Sequence, residues 1–281
     1  MQLAARFLLA LCLVPAAALA HAGDAERPAA SPAIATAEDL LRALETAGDD
    51  IRTLSADIRY DRRFMLQGDR HIRDGRLYFR APSPEDGAQA ATGRAFAVHF
   101  LTLRIDDRLQ EDPQTWVFDG RWLVEVRPAQ RTFIKREIAR EGDDFDPLRI
   151  GEGPMPLPIG QRADDILARY NAELLPPGDG LDALPPFLAD AHQLRLTARP
   201  DTDTGDELRE VRLWYMRDTL LPRMARTINR ARDESYIVLL NISVNETLPE
   251  DAIDTREPPA SEGWNVRTER IDDDPEGAEH R

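Results

Sequence analysis

The sequence predicts a mainly β protein with one long irregular insertion near its middle. Asp119-Gly120 lies between two apolar runs, a pattern typical of a hairpin because both central residues of a type I′ turn need positive φ. Short runs rich in β-branched and aromatic residues recur on both sides of this turn and predict about ten to eleven strands. Residues 141–161 combine glycines with several prolines, a composition that no strand tolerates.

The stretch of residues 114–138 carries the strongest strand signal. Pairing outward from the Asp119-Gly120 turn places Val117 opposite Trp122, and Thr115 opposite Val124, on one face of the sheet. A second reversal at residues 128–131 then leads into a third strand. Both faces of these strands carry apolar side chains, whereas a sheet with one solvated face would alternate cleanly. We therefore expect something to cover each face, either a helix or a ligand.

Before this stretch the pattern predicts one helix and three strands. Thr36 and Asp39 form a capping pair for the helix, which Gly48 should end. Alternating apolar and polar residues then predict the strands. The predicted ranges are residues 54–64, 72–80 and 94–104 for the strands, with a loop at residues 82–93.

After the insertion the pattern returns to strands. A short helix is predicted at residues 163–171 and a loop at residues 174–190, followed by five strands. The predicted strand ranges are residues 192–199, 208–216, 223–229, 235–246 and 264–268. Within the insertion, apolar residues alternate with prolines at residues 155–159, which favours a segment lying on an apolar surface as a lid.

The N-terminal residues predict export, and the composition of the two ends sets the expected limits of the domain. Residues 1–20 contain one basic residue, an apolar run with the single cysteine Cys12, and an A-x-A site ending at Ala20, which together indicate a cleaved signal peptide. Residues 21–35 are interpreted as a flexible linker, residues 36–269 as one domain and residues 270–281 as a disordered acidic tail. No later stretch approaches the roughly 20 apolar residues of a membrane span. The mature protein is therefore expected without disulfides and without a stable membrane span.

Charge and motifs narrow the classes of function. The net charge of −15 disfavours nucleic acid and anionic lipid surfaces as general partners. The five histidines are scattered without the spacing of a metal site, so no metal and no cofactor is predicted. A G-x-S-x-G elbow is missing and Gly151-Glu152-Gly153 has no G-K-[ST] after it. The protein is therefore not expected to be an enzyme, and a hydrolase of the cell envelope is disfavoured for want of a nucleophile.

Several short motifs, in their shared order, resemble the outer-membrane lipoprotein carrier (LolA-like) family of periplasmic chaperones. They span roughly residues 36–269. The matching pieces are Leu54-Ser55-Ala56-Asp57-Ile58, Gly75-Arg76-Leu77-Tyr78-Phe79 before Pro82, Asp119-Gly120-Arg121-Trp122, Leu213-Trp214-Tyr215, Leu221-Pro222-Arg223-Met224, Asn241-Ile242-Ser243-Val244-Asn245, Leu248-Pro249, and Pro258-Pro259 with Gly263-Trp264-Asn265-Val266.

The resemblance implies an incomplete antiparallel β-barrel, with helices and the Pro/Gly-rich lid covering an apolar cavity. It also implies a periplasmic carrier that shelters the acyl chains of lipoproteins or lipids during transport toward the outer membrane. Its partners would then be inner-membrane donor and outer-membrane acceptor proteins. The alternative is a binding module of the same fold that senses envelope lipids or lipoproteins and acts through a protein partner.

The residues expected to line the cavity or lid are apolar strand and insertion residues. They are Ile58, Tyr60, Leu77, Phe79, Phe96, Val98, Phe100, Trp116, Trp122, Val124, Phe133, Met155, Leu157, Ile159, Ile166, Leu167, Trp214 and Met216. Trp116, Trp122 and Trp214 could equally be ordinary core residues. The family often places an arginine that can bond the lid where this chain has Ala81, and Arg80 should point to the opposite face.

Overall fold

The computed structural model describes residues 34–82, 94–140, 150, 159–200, 202 and 208–271, and the structural statements below concern those residues. They form helices α1 (Ala37–Asp49) and α2 (Ala163–Arg169). None of their helices is both long enough and apolar enough to cross a membrane. The strands are β1 (Thr53–Phe64), β2 (Asp69–Arg80), β3 (Ala95–Ile105), β4 (Arg108–Phe118), β5 (Trp122–Arg127), β6 (Thr132–Glu137), β7 (Tyr170–Leu175), β8 (Ala191–Ala198), β9 (Leu208–Met216), β10 (Pro222–Asn229), β11 (Glu234–Val244) and β12 (Asn265–Glu269).

All of these strands belong to one open sheet. Its order is β12-β6-β5-β4-β3-β2-β1-β11-β10-β9-β8-β7, and β12 runs parallel to β6 while every other neighbouring pair is antiparallel. The sheet does not close, because β7 and β12 are its two edges. The predicted mainly β fold with an incomplete barrel is confirmed. The strand that the sequence did not predict is β7.

Helix α1 begins as the sequence predicts and ends one residue later. Thr36 Oγ1 accepts a hydrogen bond from the Asp39 backbone N–H at 3.1 Å, and the Asp39 carboxylate accepts one from the Thr36 N–H at 2.9 Å. This reciprocal pair satisfies two of the free donors at the helix start. Gly48 lies inside the helix, where a Cβ would collide with the backbone of Gly160. Gly48 therefore serves close packing and does not end the helix.

The central hairpin has a longer loop than predicted. Val117 pairs with Val124, two residues away from the predicted partner Trp122. The Asp119 carboxylate accepts hydrogen bonds from the backbone N–H groups of Arg121 and Trp122, at 3.0 and 2.8 Å, and Asp119 does not take the positive φ of a type I′ turn. A shift of two residues keeps each side chain on its predicted face.

The inner face of the sheet, defined here as the face that carries α1 and α2, holds the largest apolar cluster. Leu40 and Leu41 of α1 and Ile166 of α2 pack there against side chains from β1–β4 and β7–β11. The close approach of β2 to β3 in this region requires Gly75, because a Cβ there would overlap the His99 carbonyl oxygen. The helices therefore cover one of the two apolar faces that the sequence analysis expected to be buried.

The outer face is covered near both ends of the sheet by the chain itself. Residues 176–190, called the 176–190 strap below, place Leu181, Phe187 and Leu188 against the outer side of β8–β11. Residues 245–264, the 245–264 strap, place Ile253 and Trp264 against the outer side of β3–β6. These straps explain why strands at both ends of the sheet are apolar on two faces.

Between the two straps the outer face is polar. Three cross-strand ion pairs between β1 and β2 form what we call the ladder. They are Asp57–Arg76 at 2.6 Å, Arg59–Asp74 at 2.7 Å and Asp61–Arg70 at 2.6 Å. Each pair joins side chains that alternation directs away from the inner cluster.

Candidate functional site

The inner face carries a group of aromatic side chains that lies partly outside the dry core. Phe100 is 1% exposed, and its ring centre lies 6.2 Å from that of Tyr60 and 5.7 Å from that of Trp116. Tyr60 and Trp116 are themselves only half-buried. They continue the apolar cluster to a surface that an apolar ligand could contact.

Most of the sequence-predicted site residues come together on this inner face. Strands β1–β4 supply the larger group, and Ile159 with α2 supplies the rest. They are Ile58, Tyr60, Leu77, Phe79, Phe96, Val98, Phe100, Trp116, Ile159, Ile166 and Leu167. Met155 and Leu157 lie outside the described residues.

The structure places another group of predicted site residues on the outer face. Val124 and Phe133 pack under the 245–264 strap, and Trp214 packs under the 176–190 strap. Met216 shares the face of Trp214 by alternation. Trp122 lies on the same face as Val124, with Lys135 Nζ 5.1 Å from its ring centre. The sheet therefore separates these residues from the inner cluster. Their apolar character predicted burial, but it did not show on which face of the sheet each residue lies.

A cavity of about 320 Å³ opens beside the inner cluster, between the end of α1, residues 159–160 and the turn from β9 to β10. We call it the helix-end cavity. Its volume lies at the lower end of the range for ligand pockets, about 300–1,000 Å³. Its walls are mainly apolar, and the lining residues are Leu44, Ala47, Gly48, Asp50, Ile51, Ile159, Gly160, Tyr215, Thr219, Leu220, Leu221, Pro222, Val244 and Asn245.

One wall of this cavity is a turn with unusual backbone geometry. Leu220 has a φ of 55°, a left-handed conformation that a leucine seldom adopts. The turn is fixed by hydrogen bonds from Leu220 N–H to Met216 O at 2.9 Å, and from Met216 N–H to Leu221 O at 3.0 Å. Leu220 and Leu221 are half-buried as a result. Residues other than glycine in such sparsely populated backbone conformations cluster at active sites and ligand-binding sites.

The polar groups of the helix-end cavity stabilise its frame. Asn245 accepts a hydrogen bond from the Arg52 N–H at 2.7 Å and donates one to the Asp50 carbonyl at 2.9 Å, which ties the end of β11 to the link between α1 and β1. Tyr215 is buried, and that burial raises the pKa of its hydroxyl, so it remains a neutral phenol. The arrangement suits apolar binding and not acid–base chemistry.

Arg94 holds the segment that enters α2. Its guanidinium donates hydrogen bonds to the carbonyl oxygens of Ile159 and Gly160. Arg80 pairs with Ala95 across β2 and β3, so Ala81 and Arg94 come next on the two strands. The family's arginine would stand at Ala81, whereas here Arg94, directly before β3, bonds residues 159–160. Only the strand register brings these two positions together.

The other described end of the insertion is also fixed. The Ile150 carbonyl accepts hydrogen bonds from the Tyr170 hydroxyl and the Arg169 guanidinium, both at 3.1 Å. Ile150 itself is completely buried in the inner cluster. Residues 150 and 159–160 are thus held on the inner face from both sides.

Neither the protein-family models nor the curated proteins give a match to this chain. Solved structures do. An uncharacterized conserved protein from Thermus thermophilus has a TM-score of 0.43 at 11% identity, covering 83% of this chain and 98% of that one. The MucA/MucB complex of Pseudomonas aeruginosa has a TM-score of 0.41 at 16% identity, and the match covers 78% of this chain and 60% of that one. A LolA superfamily protein from Nitrosomonas europaea has a TM-score of 0.34 at 12% identity, with 78% of this chain and 98% of that one covered.

A LolA superfamily protein is thus among the structural matches. The three TM-scores are 0.43 or less.

Proposed function

We propose that the protein binds the acyl chains of lipoproteins or lipids at its inner face and carries them through the cell envelope. The observation that supports this proposal is the helix-end cavity. It is about 320 Å³ in volume and apolar over most of its walls, and several of its lining residues belong to the inner cluster.

The expected driving force is the removal of the acyl chain from water. Each methylene transferred contributes about 0.8 kcal/mol, and the cost of ordering chain and protein offsets part of the total. Such binding needs no catalytic group. It needs a cavity whose walls can move apart to admit the chain. The half-buried Leu220 and Leu221 form part of that wall.

In the carrier role, the export signal of residues 1–20 would deliver the protein to the periplasm. Its partners there would be an inner-membrane donor and an outer-membrane acceptor of lipidated proteins. The alternative role is that of an envelope lipid sensor which binds the same chains but acts through a protein partner. The 176–190 strap favours this alternative, because it adds surface on the outer face, away from the proposed acyl site, that a protein partner could contact.

Leu220→Asp tests acyl binding with little risk to the fold. Aspartate tolerates the left-handed conformation better than leucine does, while its charge would face an apolar cavity wall. We expect the affinity for a fluorescent long-chain acyl probe to fall at least about tenfold. Leu220→Asn, with the same shape and no charge, should lose less. Leu109→Asp, at a leucine that is 59% exposed and does not line the cavity, should bind like wild type.

A folded Leu220→Asp protein with unchanged probe affinity would refute acyl binding at the helix-end cavity. Carrier and sensor are then separated by a transfer experiment. A carrier releases its lipidated cargo to acceptor-bearing membranes, whereas a sensor retains it and gains affinity for a protein partner.

A further inference from the structure

A second cavity lies on the opposite face of the sheet, beneath the 176–190 strap. It has a volume of about 330 Å³ and is lined by strap residues 180–183 and 185, and by side chains of β1, β10 and β11. We call it the strap cavity. The sheet separates it from the inner face, because its strand residues Met224 and Tyr236 belong to the outer-face cluster of Trp214.

Hydrogen bonds from the sheet hold the strap over this cavity. Trp214 Nε1 donates to the Pro177 carbonyl at 2.8 Å, and Gln193 Nε2 donates to the Asp179 carbonyl at 3.0 Å. Arg226 donates to the Gly180 carbonyl at 3.1 Å. Arg212 reaches Asp179 at 2.7 Å. With its backbone fixed at these points, the strap forms a stable wall.

The walls of the strap cavity combine apolar groups with charged groups of both signs, the arginines Arg63 and Arg226 and the acids Asp182 and Glu234. Leu181, Pro185 and Met224 supply apolar surface, and the ring of Tyr236 supplies an aromatic face. The Arg63 guanidinium carbon lies 4.9 Å from the centre of that ring. The arginine is thereby positioned at the cavity, with 41% of its side chain exposed.

Arg63 differs from the other arginines of its face. Arg59, Arg70 and Arg76 each have a carboxylate oxygen within 2.7 Å. The corresponding distance for Arg63 is 3.9 Å, to Glu234. Within the described part of the chain, its guanidinium makes no side-chain hydrogen bond, and its Nε is buried without a partner. The cation at the end of the ladder therefore has only a long ion pair, to a carboxylate that Arg226 holds more closely.

Glu234 is already committed to other donors. It accepts hydrogen bonds from Arg226 at 2.5 Å and from the Tyr236 hydroxyl at 2.7 Å. Burial and the bond to Glu234 raise the pKa of Tyr236 to about 12, so the phenol keeps its proton near neutral pH. The Tyr236 hydroxyl thus continues to occupy Glu234, and Arg63 retains a fork of donors suited to a planar carboxylate.

From this geometry we propose that the strap cavity binds a small organic carboxylate. Arg63 takes the carboxylate group, and the apolar body of the ligand lies against Leu181, Pro185 and Met224. A volume of about 330 Å³ suits a short chain, since it is at the lower end of the range for ligand pockets. A free short-chain acid and the C-terminal carboxylate of a peptide share this chemistry.

The test is an NMR titration of the full-length protein at physiological salt. The probes are octanoate, an N-acetylated dileucine with a free carboxylate, and 1-octanol as the uncharged control. Backbone amides of Gly180, Leu181 and Ala183 report on the strap cavity, while those of Gly48 and Leu220 report on the helix-end cavity. We expect a carboxylate to shift the strap amides, and 1-octanol to shift them at least about tenfold more weakly.

Substitutions assign the effect to Arg63. Arg63→Gln should weaken carboxylate binding at the strap amides about tenfold, and Arg63→Lys, which keeps the charge without the fork, should lose less. Arg59→Gln is the matched control, because it removes an arginine of the same face that does not line the cavity.

The outcomes separate the possibilities. Octanoate binding identifies a free acid, and binding of the peptide alone identifies a peptide terminus. The proposal is overturned by equal affinity in wild type and Arg63→Gln, by 1-octanol binding as well as octanoate, or by unshifted strap amides up to about 10 mM of both carboxylates. None of these results depends on acyl binding at the inner face, which the Gly48 and Leu220 amides report separately.

Discussion

The two faces of the sheet are built from the same strands but are covered in different ways. On β1, Ala56 and Ile58 point into the inner cluster, while Asp57 and Arg59, which alternate with them, form ion pairs on the outer face. The inner face is covered by amphipathic helices that contribute apolar side chains. The outer face is covered by straps without α-helices, and the 176–190 strap is attached by hydrogen bonds to its carbonyl oxygens.

This difference bears on function. Apolar packing is non-directional. The helices contact the sheet mainly through such packing, so they can shift on the inner face at a lower cost than a strap bonded to the sheet. A strap attached through buried donors cannot move without leaving them unsatisfied, which is costly. The inner face is therefore suited to a variable apolar cargo, and the outer face to a fixed and smaller site.

The largest effect should come from the tryptophan under the 176–190 strap. Trp214 is completely buried and bonded to Pro177, so Trp214→Ala should lower the free energy of unfolding by about 3–5 kcal/mol. Urea denaturation measures this change. Trp116→Ala is the matched substitution on the inner face, where the ring is half-buried. It should cost less stability. Because Trp116 lies on the inner face outside the helix-end cavity, it should weaken binding of an acyl probe that is long enough to extend from the cavity along this face.

If Trp116→Ala proved as destabilising as Trp214→Ala and left probe affinity intact, the two tryptophans would be equivalent core residues. The functional contrast between the faces would then be wrong at this position.

An intermediate effect is expected from the arginine that holds residues 159–160. Arg94→Ala removes hydrogen bonds from a charged donor to the Ile159 and Gly160 carbonyls, which should lower the free energy of unfolding by about 1.5–3 kcal/mol. Faster hydrogen exchange in α2 should accompany the loss. Arg104→Ala is the control, an exposed arginine near the other end of β3, which Arg94 directly precedes. Equal exchange in both variants would show that Arg94 does not restrain this segment.

The smallest effect is expected in the ladder. Hydrogen bonds from Arg76 and then Asn241 lower the pKa of Asp57 below its ordinary value of 3.8. A lowered folded-state pKa means that the carboxylate stabilises the fold above about pH 3.8, and that this contribution disappears as the pH falls through the folded-state value. Because the side chain is 40% exposed, Asp57→Asn should cost less than about 1 kcal/mol at pH 7.

The pH dependence checks the assignment for Asp57. The difference in unfolding free energy between wild type and Asp57→Asn should shrink to nothing well below pH 3.8. A difference that stays constant down to pH 2 would mean that the effect arises from packing and not from the charge.

Local signals in the sequence predicted much of the fold. The capping pair of Thr36 and Asp39 placed the start of α1, because capping depends on residues only a few positions apart. Alternation placed most strands and assigned Val117 and Val124 to one face, even though the turn register differed by two residues. Strand β7 was missed because Tyr170 and the residues after it form a strand by pairing with β8, a distant segment that local propensity does not reveal.

Alternation along each strand also grouped part of the candidate site. Residues of β1–β4 such as Phe96 and Phe100 were assigned to a shared apolar face, and the structure brings them together. Phe133 and Trp214 had equally apolar surroundings but lie under the straps. Leu220 and Arg94 could not be identified, because one depends on a left-handed turn and the other on a strand register.

The sequence by itself determined the mainly β class, the helix start and the alternation that gives each strand two distinct faces, since these follow from interactions between near neighbours. The tertiary structure alone decided which face meets a helix and which meets a strap, where the cavities open, and that Arg63 shares its carboxylate partner with Arg226. Those features arise where segments far apart in the chain meet, so they depend on packing that no short stretch of residues encodes.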